Sequence, residues 1–376
     1  MIKPNLLIVG NFHSHPSANA FLGKFLKIVH PLSSKVVSVS GDLPSDYRNK
    51  VLWVKTIPTI DTKWRILNIS FYFVNQLISV SVILYLFSSR KLDLVVFLAP
   101  APLPLIVSKL LKRKIIRYQG GSYSKQTFGN NRSFKRKLFA IMFEDFPYHL
   151  SDRIIIESKS CLEFQDLTRY SSKVRIGSLF VDSQIFYCKK SYEDRDNIIG
   201  YIGEIGMNKG VDRFANAMVL SKEFLYKNNY KIMIVGDGKL KNDIINIFKI
   251  SDILDRIIFV HWIPHEEVAN YLSELKLIVV PSNSEGLPNI ILEAMACGTP
   301  VLANSVGAIP DIIEDSNNGF IMNNNTENSI AENTVRALRY LYIDKIIINA
   351  HNFVEENYSY EASLKRYELL FRELEK

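Results

Sequence analysis

The sequence predicts an α/β protein made of two doubly wound, Rossmann-like domains, for three reasons. Apolar runs of strand length alternate with helical segments over most of the 376 residues. The alternation breaks once, around residues 176–196, and then resumes, so the chain holds two such series. The chain is also long enough for two full cores, and its 47% hydrophobic and 22% charged residues are those of a soluble globular protein. We therefore expect two parallel sheets, each covered by helices on both faces.

In the first half, residues 66–87 form the most hydrophobic region. Asn68, Asn75, Gln76 and several serines interrupt it, which favours a buried core helix over a membrane span and leaves an interfacial helix possible. The other predicted helices of this half cover residues 18–29, 101–111 and 133–150, and its strands cover residues 5–11, 36–40, 51–57, 93–99, 114–118 and 153–158.

The periodicity fades after residue 176 and charged residues accumulate, which predicts a linker at residues 181–196. We accordingly expect an N-terminal domain over residues 1–180 and a C-terminal domain over residues 197–355. Strands are predicted at residues 198–202, 231–235, 257–260, 277–280 and 301–303, and helices at residues 211–224, 240–248, 265–275, 289–296 and 360–376.

The net charge of +8 is unevenly distributed. Residues 1–175 contain 26 Lys and Arg against 10 Asp and Glu, which is +16, whereas the remainder stands at −8. This asymmetry predicts that only the first half faces a polyanion, such as an anionic membrane surface, a diphosphate-bearing acceptor or nucleic acid. No nucleic-acid motif accompanies the charge, so nucleic acid is not expected as a partner.

Within the basic half, the predicted helix SFKRKLFAIMFEDF places Lys135, Arg136 and Lys137 beside several aromatic residues. Basic amphipathic helices dock on anionic membranes. A solvated face over a buried aromatic stripe explains the same pattern equally well, so both interpretations stay open.

Three widely spaced cysteines, Cys161, Cys188 and Cys297, fit a reducing compartment and show no metal-ligand pattern. The apolar run at the start of the chain is too short for a signal-peptide core and is interpreted as a first strand. These features predict a cytoplasmic protein, peripheral on the inner face of the plasma membrane.

The most informative stretch is residues 277–303, LIVVPSNSEGLPNIILEAMACGTPVLA. A buried strand ends at Pro281, and Pro288 precedes a short helix that stops at Gly298. Glu285 lies in the loop before the helix, and Glu293 lies within it. The backbone N–H groups at the helix N-terminus form an anion site, and adjacent carboxylates bind hydroxyl groups. A nucleotide sugar supplies both phosphates and hydroxyls.

EGLPNIILE, with the flanking PSNSEG and EAMACGTPVLA, resembles the E-x7-E signature of family 4 glycosyltransferases. The resemblance implies a GT-B fold, in which two Rossmann-like domains face each other across a cleft and residues 356–376 cross back to the N-terminal domain. It also implies a retaining enzyme. The C-terminal domain would bind a nucleoside-diphosphate sugar, and the N-terminal domain would take a saccharide acceptor, with no bound metal or other cofactor.

The resemblance assigns roles to single residues. Lys209 matches the lysine that grips the donor diphosphate, Glu285 matches the carboxylate near the donor sugar, and Glu293 matches the one that binds the ribose hydroxyls. Catalysis would therefore depend on Lys209 and Glu285, which stabilise the leaving diphosphate and hold the sugar without a protein nucleophile.

Further site candidates follow predicted strands, where ligands bind in such sheets. On the donor side they are Gly10, Gly203, Lys239, Gly286, Leu287, Pro288 and Asn289. For the nucleobase they are Gly236, Trp262 and Ile263, although core packing explains the last two equally well. On the acceptor side they are His13, His15, Gln119 and Gly120.

Glu204 departs from the family pattern, which has arginine beside the glycine. A carboxylate repels a diphosphate, so we expect Glu204 to turn away or to be compensated by Lys239 or Arg117.

Other motifs are weaker. IVGDG lacks the third glycine of a dinucleotide fingerprint, which disfavours NAD. Pro264 lies between His261 and His265 and disfavours zinc. Asp194 and Asp196 follow no strand, so they are not interpreted as metal ligands.

The family implies an acceptor linked to a polyprenyl diphosphate, in O-antigen-type or capsule-type surface-polysaccharide biosynthesis of bacteria. Two other functions remain open. A GT-B sugar-nucleotide epimerase would turn over a nucleotide sugar without an acceptor. A non-catalytic membrane-surface scaffold would keep the fold without activity.

Overall fold

The computed structural model describes residues 3–10, 16–57, 65–120 and 134–375. The chain divides into two compact units. Unit 1 comprises Met1–Leu179 and Ser363–Lys376, and unit 2 comprises Phe180–Ala362. Each unit holds one sheet in which every strand pair is parallel. The prediction of two Rossmann-like α/β domains is therefore confirmed.

The sheet of unit 1 has seven strands in the order β3-β2-β1-β4-β5-β6-β7. They are β1 (Asn5–Val9), β2 (Lys35–Ser40), β3 (Leu52–Lys55), β4 (Leu94–Phe97), β5 (Lys114–Tyr118), β6 (Arg153–Ile156) and β7 (Val174–Ile176). The helices are α1 (Pro16–Leu32), α2 (Arg65–Ser88), α3 (Pro102–Leu110), α4 (Phe134–Ala140), α5 (Phe146–Leu150) and α6 (Cys161–Phe164). The central strands β1 and β4 are buried apolar runs, as a sheet covered on both faces requires.

Helix α2 differs from the prediction. Only 28% of its most apolar stretch is buried, so it is not a core helix. Its polar residues Asn75, Gln76 and Ser79 are buried, as are Ile83 and Leu86 further along, whereas Phe73 and Leu77 are more than half exposed. Among the described residues, one helix, Asn68–Ser88, is long and apolar enough to cross a membrane by length and composition.

The helix predicted over residues 133–150 is divided into three parts. A π-helical segment, Ile141–Asp145, separates α4 from α5. Pro147, in the first turn of α5, lacks the N–H that a continuous helix would use, which favours the interruption.

Unit 2 has six strands in the order β10-β9-β8-β11-β12-β13. They are β8 (Ile198–Ile202), β9 (Lys231–Val235), β10 (Ile257–Val260), β11 (Leu277–Val280), β12 (Val301–Asn304) and β13 (Phe320–Met322). The helices are α7 (Val211–Leu220), α8 (Lys222–Lys227), α9 (Lys241–Ile250), α10 (Val268–Leu272), α11 (Asn289–Ala296), α12 (Ile309–Ile312), α13 (Glu327–Leu338), α14 (Ile343–Tyr358) and α15 (Tyr360–Glu375), the last of which continues into unit 1.

Residues 181–196, predicted as a linker, instead lie within unit 2. Arg195 is 4% exposed and donates to the carbonyl groups of Leu275 and Cys297 and to the hydroxyl of Thr299. A buried guanidinium requires such partners, and here they fasten the segment to the sheet edge.

Most of the final helix, α15, belongs to unit 1. Tyr367 is 1% exposed, and its hydroxyl donates to the Gly177 carbonyl oxygen at 2.6 Å. The Glu373 carboxylate accepts from Arg175 at 2.7 Å and from Arg153 at 3.4 Å. These contacts join α15 to β6 and to the edge strand β7.

Candidate functional site

The candidate site lies where the strand order of unit 2 reverses. Strands β8 and β11 are neighbours in the sheet, although two other strands follow β8 along the chain before β11. Ligands of open α/β sheets bind outside the carboxyl ends of the strands at such a point. A cavity of about 330 Å³ opens here, and its wall includes the predicted residues Gly203, Lys209, Glu285, Leu287, Pro288 and Asn289.

The loop between β11 and α11 is held in place from several sides. Asn283 accepts from the Arg213 guanidinium at 2.8 Å, and its side-chain amide donates to the Met207 carbonyl oxygen at 3.1 Å. The Asn325 amide donates to the Pro281 carbonyl oxygen at 2.9 Å. These bonds fix the loop that carries Glu285 against the turn that carries Lys209.

Two glycines allow the backbone to approach this loop closely. Gly210, at the start of α7, has φ 70°, and a Cβ there would collide with the Pro281 carbonyl oxygen. Gly307 has φ 58°, and a Cβ there would collide with the Glu285 carbonyl oxygen. Both positions therefore require glycine, for backbone conformation and for space.

Lys209 and Glu285 form a direct ion pair inside the cavity. The Lys209 ammonium lies 2.8 Å from Oε1 and 3.0 Å from Oε2 of Glu285. The Glu285 side chain is 10% exposed and the Lys209 side chain 33%. The structure thus brings together the two residues that were predicted to be catalytic, in contact with each other.

Glu204 also lines this cavity, and it is exposed. Burial raises the pKa of Tyr201, with further contributions from the carboxylates of Glu285 and Glu204. The Tyr201 hydroxyl donates to the Glu204 carbonyl oxygen at 2.6 Å. The wall therefore carries two carboxylates and one ammonium group.

Glu293 does not line this cavity. Its side chain is 3% exposed, and its Oε1 lies 2.8 Å from His265 Nε2. His265 begins a short 3₁₀ turn, His265–Glu267, after β10, and its ring lies 5.1 Å from the Phe186 ring. Sequence reasoning considered His265 only as a zinc ligand and missed this contact, because 28 positions separate the two residues.

Among the nucleobase candidates, Trp262 is 66% exposed, which excludes core packing as the reason for its presence. Ile263 packs against the core of unit 2. Gly236 follows β9, and the backbone of its turn touches the turn at Gly203. Lys239 lies on the same turn, is exposed and is not among the described residues that line the cavity.

The candidates of unit 1 lie in a separate sheet. Gly10 ends β1, and its N–H donates to the Val39 carbonyl oxygen at 2.9 Å. Gln119 is fully buried after β5, whereas Gly120 beside it is exposed. Arg117 is 1% exposed, and its guanidinium donates to the Phe97 carbonyl oxygen of the same unit. His13 and His15 lie outside the described residues.

The fold and this cavity define a two-unit α/β protein with a ligand-sized recess at the topological switch point of its second sheet. Residues 185–358 match the model of a protein family, Glycosyl transferases group 1. The match covers most of the second unit, which is therefore similar to the glycosyltransferases of this family.

Two relatives illustrate the sequence similarity. An uncharacterized glycosyltransferase of Methanocaldococcus jannaschii is 26% identical over 243 residues, which cover 60% of this chain and 67% of that protein. The N-acetyl-alpha-D-glucosaminyl L-malate synthase of Bacillus anthracis is 24% identical over 236 residues, which cover 60% of this chain and 61% of that protein. The chain thus aligns with about two thirds of the length of each relative.

Solved structures extend the fold likeness to nearly the whole chain. HepE of Anabaena in complex with UDP has a TM-score of 0.75 at 14% identity, covering 98% of this chain and 99% of its own. The lipopolysaccharide outer core galactosyltransferase WaaB has a TM-score of 0.68 at 13% identity, with 98% and 99% covered. At such identities the likeness concerns the fold alone.

Proposed function

We propose that this protein is a retaining glycosyltransferase that moves a sugar from a nucleoside-diphosphate sugar to a saccharide acceptor. The observation that carries the proposal is the Lys209–Glu285 pair at the N-terminus of α11, in the switch-point cavity of unit 2. A cation and helix N–H groups suit a diphosphate, and a carboxylate suits sugar hydroxyls. The bound UDP of the HepE structure supports a donor of this class.

In this proposal Lys209 serves the reaction chiefly at the leaving group. As the bond from the anomeric carbon to the diphosphate breaks, negative charge grows on the phosphate oxygens. The Lys209 ammonium and the backbone N–H groups of Gly286 and Asn289 stabilise that charge more strongly in the transition state than in the ground state. Glu285 orients the donor sugar and holds Lys209 in place. No bound metal is needed, because the protein itself supplies the positive groups.

Glu293 binds the ribose hydroxyls in this proposal, and Trp262, Ile263 and Gly236 border the base. For the acceptor we propose a lipid-linked saccharide, of the polyprenyl-diphosphate type, in bacterial surface-polysaccharide biosynthesis. The basic first unit supports this part, since it suits a diphosphate-bearing acceptor and the anionic inner face of a plasma membrane.

The test is thermal denaturation of the full chain with a panel of nucleoside diphosphates and their sugar conjugates. A ligand at a hundred times its dissociation constant stabilises the folded state by about 2.7 kcal/mol, so a donor raises the melting temperature. We expect one nucleotide series to do so, and Lys209→Ala to abolish the shift. Lys239→Ala is the matched control, because Lys239 is an exposed lysine outside the cavity lining.

Absence of any shift across the panel, or a full shift with Lys209→Ala, would overturn the donor assignment. Turnover of the stabilising nucleotide sugar in the absence of any acceptor would instead indicate an epimerase.

A further inference from the structure

Helix α2 buries several polar side chains and exposes apolar ones, which is the reverse of an ordinary helix at a water-exposed surface. The Asn75 amide accepts from the Ile57 N–H and donates to the Ile57 carbonyl oxygen, both at 2.8 Å. Gln76 accepts from the Leu103 N–H at 2.9 Å. These polar side chains are buried on the side of α2 that faces the body of unit 1, the side that also buries Ile83 and Leu86.

The opposite side of α2 is apolar and exposed. Ile69, Phe73, Leu77 and Leu84 are 56%, 52%, 58% and 48% exposed. Their spacing of four, four and seven residues places them on one stripe along a helix about 36 Å long. A helix that faced only water would carry its charged residues there.

A second exposed apolar stripe lies on α4 and the π-helical segment after it. The Tyr72 and Phe143 rings lie 6.4 Å apart and join α2 to that segment. Phe134 and Leu138 of α4 and Met142 of the segment, again spaced by four, are 79%, 52% and 50% exposed. We call these residues together the apolar face: Ile69, Phe73, Leu77, Leu84, Phe134, Leu138 and Met142. It exceeds the isolated apolar residues that ordinary protein surfaces show.

Most charges around the apolar face are positive. Helices α2, α3 and α4 contain no Asp or Glu. Lys135 and Lys137 project from α4 as exposed side chains, and Lys91 is exposed just after α2. Near the C-terminal end of α2, the Arg113 guanidinium lies 5.2 Å from the centre of the Phe87 ring.

Two acidic residues follow Met142 in the π-helical segment. Glu144 is buried, and Asp145 pairs with Arg169. Apolar side chains bordered mainly by cations complement a surface of anionic headgroups over acyl chains.

We propose that the apolar face docks on an anionic lipid bilayer, with α2 in the plane of the surface. The stripe enters the boundary between headgroups and acyl chains, and Lys135 and Lys137 contact the headgroups. A transmembrane position is excluded, because Asn75 and Gln76 attach the other side of α2 to unit 1. This assignment deepens the membrane part of the proposed function and places the contact mainly on α2, whereas the sequence left both an interfacial helix at residues 66–87 and the basic helix open.

The test is flotation of the full chain with vesicles of phosphatidylcholine, with and without phosphatidylglycerol. We expect binding to the anionic vesicles that weakens as salt rises. The double variant Phe73→Ser, Leu77→Ser should reduce binding to anionic vesicles at least about tenfold, because two apolar side chains that leave water on binding are replaced by polar ones. Ile250→Ser with Leu341→Ser is the matched control, since these apolar residues of unit 2 are 86% and 88% exposed. Lys135→Glu with Lys137→Glu should reduce binding to anionic vesicles without touching the stripe.

No binding of the unaltered chain to either vesicle, or equal loss in the unit 2 control, would overturn the assignment. Self-association that Phe73→Ser with Leu77→Ser abolishes, without vesicle binding, would show that a second copy covers the face. Stabilisation by nucleotide should be the same in all these variants. A failure of membrane docking is therefore distinguishable from a failure of the donor assignment.

Discussion

At the scale of single residues, the balance of charge in the cavity is unusual for a diphosphate site. The carboxylate of Glu285 already engages Lys209, and Glu204 adds an exposed carboxylate on the same wall. Glu204 therefore weakens the attraction between this cavity and a diphosphate through like-charge repulsion.

We predict that Glu204→Gln strengthens binding of the stabilising nucleoside diphosphate by about threefold to tenfold, a modest gain because the group is exposed and screened. Isothermal titration at low and high salt measures it, and the gain should shrink at high salt. Glu266→Gln is the control, being a carboxylate of unit 2 outside the cavity lining. Equal affinities for the Glu204 variant and the unaltered chain would show that the carboxylate turns away from the ligand.

His265 and Glu293 form the second informative pair. A buried carboxylate needs hydrogen-bond partners, and the imidazole at 2.8 Å is one of them. If Glu293 binds ribose, the hydrogen bond between His265 and Oε1 of Glu293 helps to orient the carboxylate toward the ribose.

His265→Ala should therefore weaken binding of the ribonucleotide about tenfold and leave its 2′- and 3′-deoxy forms nearly unaffected, since only the hydroxyl contact depends on the carboxylate position. His265→Gln should restore part of the preference for the ribonucleotide over its 2′- and 3′-deoxy forms. Competition titration of the three nucleotides makes the comparison, with His261→Ala as the control because His261 is 80% exposed and contacts Lys241 instead. Equal losses for all three nucleotides would indicate a general structural role.

At the scale of elements, short buried strands were the most predictable part of the molecule. Runs such as LLIV in β1 and LIVV in β11 have few alternatives to a buried parallel strand, and both lie where the apolar pattern predicts. The loop and helix after β11 were predictable for a similar reason, because proline and glycine mark both ends of α11.

Elements that depend on distant partners were not predictable. Nothing in the sequence around Asn75 indicates that its amide would pair with the backbone of Ile57. The outward orientation of the apolar side of α2 depends on that contact. The division of residues 211–224 at Ser221 was missed although its signal is local, since the Ser221 hydroxyl returns to the Ala217 carbonyl oxygen four positions earlier. The contact between His265 and Glu293 likewise arises only once β10 and β11 occupy the same sheet.

Helix α15 allows a prediction about pH. Hydrogen bonding from Arg175, with the charges of Arg175 and Arg153, holds the pKa of Glu373 below its usual value of 4.5. A lowered carboxyl pKa stabilises the folded state above the unfolded pKa, and the contribution is lost as pH falls through the folded pKa. Glu373→Gln should lower the melting temperature by about 1–2 °C at neutral pH, a small effect because the pair is partly exposed.

Thermal melts of both proteins from pH 7 to pH 3 test this expectation. The two curves should converge below pH 4.5. A difference that persists unchanged into the acid range would exclude ionisation of Glu373 as its origin. Glu368→Gln, which removes only a local pair with Arg372, is the comparison variant.

At the scale of the whole molecule, each unit has its own sheet and buried core, so two unfolding transitions are possible. We predict that the stabilising nucleotide raises the transition of unit 2 and leaves that of unit 1 unchanged, because every described residue of the switch-point cavity lies in unit 2. Differential scanning calorimetry with and without nucleotide, combined with proteolysis to identify the surviving unit, tests it. Upward movement of both transitions by the same amount would show that the units unfold together.

The crossing of α15 into unit 1 also constrains the order in which parts of the chain can fold during synthesis. Residues 1–179 leave the ribosome first, yet Tyr367 and Glu373, which close their sheet edge, are synthesised only after all of Phe180–Ala362. At 5–20 residues per second, strands β6 and β7 wait about 10–40 s for their cover. Unit 1 therefore cannot complete its contacts before unit 2 has been synthesised, so the two units do not become native in the order in which they begin along the chain.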